Sequence, residues 1–449
     1  MPRRRRAATP GENWTAAALG WVLVSGLYAD GWAHVNVPGL ETFFTPWHAA
    51  LYGSFALLVA WLALMLLRRP RRGERARLPR GYGWGWVGVA VFLAGGLADM
   101  AWHLVFGIEA GIDALVSPTH LVLLGGGLLL IVSPLRAQRG LGGTWAWPSV
   151  LSTAAATALI GFFLSYVSVF TDPGAREALT TISEGAPGHR AGELPAVAGL
   201  AGYLVTTVLI VAPAFSLTRR GRVPVGTLAV VVAAVAVPAA ALSGLEFVVP
   251  ALGAVGGAVV ADLLLHVYPP LPPVVLAGLL PALLWAGQLI GLAVTGRLAW
   301  PPELWAGVVV LTALLTGVLT RLWDRVPAGR SPTWSRASST SSPPLGVCDD
   351  AQQPPPAGRS PLSGGPCSAE RQRQVNRQLR VWTPRRVLGW VVAADAIAVA
   401  LVHWVAHIGY RPMPLTMGAQ DLFVGYPAAA LLGVVAVVIL GQRSTGRRR

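Results

Sequence analysis

Lysine is absent from the sequence, so all 35 basic residues are arginine. Charge of either sign is scarce, at 12% of 449 residues, roughly half the share of an ordinary soluble domain. With 54% of residues hydrophobic, this scarcity excludes a single soluble globule. Cysteine is nearly missing as well. Cys348 and Cys367 lie in a polar stretch, which excludes a disulfide framework, a CxxC metal site and thiol chemistry as the theme. The glycine groups at 95 and 96, 125 to 127, and 256 and 257 lack the Gly-Lys-Ser/Thr ending of a phosphate loop. They also lack the strand-to-helix context of a dinucleotide site, and suit close helix packing instead.

A formal charge of +15 raises the question of a nucleic-acid partner. The arginines, however, sit in short blocks beside apolar runs, as at Arg3 to Arg6, Arg68 to Arg80 and Arg447 to Arg449. That is the pattern of cytoplasmic topology signals, and no nucleic-acid partner is expected. What the chain does have is long apolar runs from residue 14 to residue 440, of lengths suited to a hydrocarbon layer about 30 Å thick. Tryptophans gather near their ends, as at Trp14, Trp21, Trp84, Trp86, Trp145, Trp147 and Trp300, where amphipathic rings favour the interface.

The expected fold is all-α, a polytopic helical membrane protein of about twelve transmembrane helices. Spans are expected at 14–35, 46–67, 84–106, 117–133, 147–170 and 195–217, two within 223–267, and others at 273–295, 304–322, 387–409 and 422–440. Residues 1–322 form the main helical domain, with repeats near 14–67 and 84–133. Residues 323–386, rich in Ser, Pro, Arg and Gln, read as a disordered cytoplasmic linker. Residues 387–449 supply a last hairpin packing on the main domain. The arginine bias after the even-numbered spans places both termini in the cytoplasm, and the expected location is the cell's inner (cytoplasmic) membrane.

The first two hairpins carry the same polar pattern. The first reads Ala29, Asp30, His34, then Glu41, Thr45, Pro46 and His48; the second reads Ala98, Asp99, His103, then Glu109, Ser117, Pro118 and His120. Asp and His four residues apart share a helix face, and the later histidine opens the antiparallel return helix. Three ligands from two helices can thus converge on one metal ion. Two histidines and a carboxylate suit zinc, iron, manganese or copper without choosing among them, and form the ligand set of non-haem iron oxygenases. Asp-His packing, proton transfer or a wetted interface are the alternatives.

His403 and His407, again four apart near the outer end of an outward span, join this set as candidate ligands. Asp262 and His266 repeat the Asp-x-x-x-His spacing, yet the topology puts them near the cytoplasmic end, as a separate structural or proton pair or a sign of misplaced boundaries. Asp395 lies about three turns from His407, as a proton route or a buried helix contact. His189, near Glu184 and Glu193, suits a surface role.

The Asp-x-x-x-His hairpin with its later histidine resembles the metal motif in a membrane subunit of particulate methane and ammonia monooxygenases. The matching positions are Asp30, His34 and His48, and Asp99, His103 and His120, with the last histidine 14 and 17 residues beyond its predecessor. The resemblance implies copper and oxidation chemistry. The His403 and His407 pair resembles membrane zinc hydrolases related to alkaline ceramidases. The leading expectation is a metal-dependent membrane enzyme acting at the extracytoplasmic side on a lipid or small apolar substrate, in an oxidative reaction. A zinc hydrolase is the first alternative, with Glu41 and Glu109 as the catalytic acids and bases that handle protons. A metal-binding or proton-coupled transporter is the second. Membrane lipids are the expected surroundings.

Overall fold

The structure is a computed structural model that describes residues 6–38, 45–67, 78–107, 111–139, 144–268 and 271–325. All regular secondary structure in the described residues is helical, without β-strands. Its elements are α1 (Pro10–Asn36), α2 (Pro46–Leu67), α3 (Gly83–Phe106), α4 (Ile112–Val116), α5 (Pro118–Ile131) and α6 (Ser133–Gln138). They continue as α7 (Trp147–Phe163), α8 (His189–Arg220), α9 (Thr227–Leu242), α10 (Val248–Val267), α11 (Pro273–Val294) and α12 (Pro302–Arg325). Six of these, α2, α3, α8, α10, α11 and α12, are long and apolar enough to cross a membrane, and α5, α7 and α9 are shorter apolar helices. Leu57, Leu93, Leu97 and Leu104 are exposed on the outside of this bundle, as expected of surface solvated by lipid.

Proline marks many helix starts because its missing N–H costs nothing in a first turn that has no intrahelical acceptor. α1 begins before the expected residue 14 for this reason and one more. Thr9 and Glu12 form a capping box around Pro10, with Glu12 N–H donating to Thr9 Oγ1 at 3.2 Å and Thr9 N–H donating to the Glu12 carboxylate at 2.9 Å. The Arg6 guanidinium adds two 2.7 Å hydrogen bonds to the same carboxylate. Burial pushes the Glu12 carboxyl up, but the hydrogen bonds from Arg6 and Thr9 outweigh it and hold it below the ordinary carboxylate range. At the other extreme, α7 stops at Phe163, short of the expected 170, because the chain tightens into a short 3-10 turn over Ser165–Val167.

The helices pair in sequence order, α1 with α2, α3 with α5, α9 with α10, and α10 with α11. Small residues allow the closest pairs. A Cβ on Gly126 of α5 would meet the Phe92 backbone nitrogen of α3 at 2.5 Å, and Gly253 of α10 lies directly against the backbone of Gly287 in α11. α7 is buried on nearly every side, with Ala154, Ala155 and Ala158 fully enclosed. It is tied to α1 by Trp21 Nε1–H donating to the Leu151 carbonyl at 3.1 Å and Tyr28 O–H to the Ala158 carbonyl at 3.0 Å. One polar pair lies deeper in the bundle, where Tyr203 of α8 donates to Gln288 Oε1 of α11 at 2.8 Å.

This order gives the bundle two chemically different ends. At one, Arg80 N–H donates to the Arg6 carbonyl at 2.9 Å, and Trp145 N–H to the Arg222 carbonyl at 2.8 Å, bringing the arginine blocks together. At the other, Asn36 reaches the Leu242 carbonyl at 3.2 Å, and Arg297 pairs with Glu246 at 2.8 Å. The ends of α1 and α3 and the starts of α2 and α5 belong to this second end.

Candidate metal centre

Two groups of three residues converge at that end, and each could hold a metal ion. Asp30, His34 and His48 form one, Asp99, His103 and His120 the other, and within each the ligand atoms lie within 4.8 Å of one another. The Asp-His pairs come from the last turns of α1 and α3. The later histidines are the third residues of α2 and α5.

The position of those third residues is set by the helix cap. In Ser117-Pro118-Thr119-His120 the Ser117 hydroxyl accepts the His120 backbone N–H at 3.5 Å and meets His120 Nδ1 at 2.9 Å. In Thr45-Pro46-Trp47-His48 the Thr45 hydroxyl does the same, at 3.1 Å from the backbone nitrogen and 3.0 Å from the ring Nδ1. Histidine here occupies the place that Glu or Gln takes in an ordinary capping box. The cap that starts each return helix therefore also orients its histidine ring.

The second triad is the more completely specified. His120 Nδ1 faces the Ala114 carbonyl, and His103 Nδ1 faces the Gly107 carbonyl at 3.2 Å. A carbonyl only accepts, so each ring carries its proton on Nδ1, and a neutral imidazole then presents its lone pair at Nε2. Both Nε2 atoms are aimed at Asp99 Oδ1, from 3.6 Å for His103 and 3.2 Å for His120. Thr119 Oγ1 steadies that oxygen with a 2.9 Å hydrogen bond, and Asp99 is 1% exposed. Lone pairs and a carboxylate facing inward repel one another unless a cation or extra protons lie among them. Ligands about 2.1 Å from a tetrahedral metal are themselves about 3.4 Å apart, a spacing that the two observed distances bracket. Backbone carbonyls holding the outer ring nitrogens are the usual supporting shell of metal-bound histidine.

In the first triad His48 Nδ1 approaches Asp30 Oδ1 at 3.3 Å, and the rings of His34 and His48 stand edge to face at 5.4 Å. Among the described residues Asp30 Oδ1 is buried and accepts no hydrogen bond, the condition of an acceptor suited to a cation. His34 is exposed on the cavity side.

Both triads line one cavity of ≈ 730 Å³. Its remaining wall is largely apolar, with Leu27, Leu51, Phe92, Leu123, Phe162 and Phe163 contributed by α1, α2, α3, α5 and α7. Tyr52 stands between the triads, stacked on His48 at 6.4 Å, over Gly96, where a Cβ would meet its ring at 2.8 Å. Sequence reasoning passed over Tyr52, although its place four residues after His48, on the same helix face, was a usable signal. It also passed over Phe162 and Phe163 on α7, which no local pattern connects to the hairpins.

Glu41, Glu109, His403, His407, Asp395 and both cysteines lie outside the described residues. Asp262 and His266 stand apart from the triads. Asp262 accepts the backbone N–H groups of Gly226 at 2.5 Å and Leu228 at 2.8 Å, capping the start of α9. His266 places Nδ1 against the Asp262 carbonyl at 2.7 Å and Nε2 against the Val223 carbonyl at 3.1 Å. The third Asp-x-x-x-His pair is thus a clamp between the end of α10 and the start of α9, as antiparallel pairing of those helices requires. His189 opens α8, with Nδ1 on the Ile182 carbonyl at 2.7 Å and Nε2 3.6 Å from Glu193. Comparison of the chain with protein-family models, curated proteins and solved structures returns no match.

Proposed function

We propose that the protein is a metal-dependent integral membrane enzyme that works from the extracytoplasmic side on a lipid or other apolar substrate, by oxidation. The observation that carries this reading is the second triad, where two histidine Nε2 atoms and a buried carboxylate oxygen converge beside an apolar cavity. Asp30, His34 and His48, and Asp99, His103 and His120, hold one ion each. A site of two histidines and one carboxylate leaves coordination positions open, and a redox metal bound there supplies oxygen activation. The chain's own part is to orient the ligands through Thr45, Ser117 and Thr119, and to admit an apolar substrate while Phe162 and Phe163 limit water.

In this reading the chain spans the cytoplasmic membrane twelve times, with the arginine-rich end and both termini in the cytoplasm. Copper, iron and zinc are the candidate ions, and the resemblance to the particulate monooxygenases favours a redox metal. A zinc-dependent hydrolase is the second reading, favoured by the cysteine-free ligand set.

Elemental analysis of detergent-purified protein, reconstituted separately with zinc, copper, iron and manganese, tests the proposal beside His34→Ala and His103→Ala. The expected result is retained metal in the wild type and one ion fewer in each variant, with helix content unchanged. A wild-type protein that retains none of the four metals overturns it. Oxygen consumption with lipid substrates then separates oxidation from hydrolysis.

A further inference from the structure

A second cavity, of ≈ 680 Å³, runs from Leu164 to the arginine-rich end of the bundle and shares no lining residue with the metal centre. It is a groove between α7 and α8, closed at its flank by Leu135 and Leu315. From Leu204 to Arg220, both of which line it, α8 rises about 24 Å, more than one leaflet of a hydrocarbon layer about 30 Å thick. Val205, Val208 and Ala212 are exposed along it, so the groove opens to the surrounding lipid.

Its arginine-rich end holds Arg139 and Arg220, both exposed and both lining the groove. Neither forms an ion pair with a carboxylate among the described residues, whereas their own charges oppose each other: burial and the Arg220 guanidinium both push Arg139 below its ordinary value. Trp145 sits at the same level, its indole N–H donating to the Leu217 carbonyl at 3.0 Å, as a ring at the membrane interface does. Two cations at the end of an apolar slot of acyl length call for an amphiphile with an anionic head.

We infer that Arg139 and Arg220 bind the headgroup phosphate of an anionic phospholipid whose acyl chain lies between α7 and α8. Paired guanidiniums fit phosphate oxygens in a forked geometry, and basic pockets between transmembrane helices on the cytoplasmic side are suited to such headgroups. The bound lipid removes the Arg139–Arg220 repulsion and fills the groove. The site is independent of the metal centre.

The test uses the full chain in detergent, incubated with mixed micelles of phosphatidylglycerol and phosphatidylcholine, re-isolated, and its retained lipid measured by mass spectrometry. The wild type is expected to prefer phosphatidylglycerol by about tenfold or more, since each interfacial arginine favours an anionic lipid several-fold. The double variant Arg139→Gln/Arg220→Gln loses the preference. Ala212→Trp, which keeps both arginines and fills the groove, lowers retention of both lipids and decides the matter if the double variant does not fold. Equal retention of the two lipids by the wild type, or unchanged retention in Ala212→Trp, overturns the proposal.

Discussion

His120 Nε2 lies 3.2 Å from Asp99 Oδ1 while the other nitrogen of the same ring is held by Ser117 and the Ala114 carbonyl. One hydroxyl thereby links the start of α5 to the direction of a ligand. Thr45 likewise meets the His48 ring at the start of α2, but through Nδ1, the nitrogen that there also faces Asp30.

Ser117→Ala is therefore expected to act twice. Loss of the cap lowers stability by about 1 kcal/mol. Loss of the ring's hydrogen bond weakens metal affinity at the second triad by about tenfold or more, the usual effect of removing a supporting partner. Chelator competition on the reconstituted protein measures the second effect. An affinity equal to wild type, with only the thermal midpoint lowered, would reduce Ser117 to a helix cap.

Asp262→Ala separates the third Asp-x-x-x-His pair from the other two. Two backbone N–H groups at the start of α9 lose a charged acceptor, at a cost of about 1–3 kcal/mol. Metal stoichiometry stays at the wild-type value, because Asp262 belongs to the opposite end of the bundle. A variant that lost metal while keeping its helix content would place Asp262 in the centre after all.

Glu12 gives a pH dependence with a definite sign. Hydrogen bonds from Arg6 and Thr9 outweigh burial and depress its folded value, so its contribution is present above the unfolded carboxylate value of about 4.3. That contribution is lost as pH falls through the folded value. The wild type should exceed Glu12→Gln in thermal midpoint near neutral pH, with the gap narrowing in acid. A gap independent of pH would assign the effect to packing at the α1 start.

The helical class, the apolar helices and the duplicated ligand pattern were legible because each rests on local information. Apolar run length decides what can lie in a bilayer, and four-residue spacing puts Asp30 with His34, and Asp99 with His103, on one face. The Ser/Thr-Pro-x-His opening of α2 and α5 was visible, although its role as a cap and its hold on the ring were not. Asp262 shows the limit of such reading. It has the same spacing as Asp30 and Asp99, yet its partners are the backbone N–H groups of Gly226 and Leu228, more than thirty residues earlier in the chain.

Composition and spacing thus determined that the chain is helical, with helices long and apolar enough to cross a membrane, and that it carries two Asp-His hairpins, since both properties depend on residues within a helix or two of each other. Tertiary packing alone decided that the two hairpins open into one cavity, that Phe162 and Phe163 of α7 wall it, and that Arg139 and Arg220 line one groove. Such contacts join residues far apart in the chain, and helix pairing and close glycine contacts, not periodicity, select which of them form.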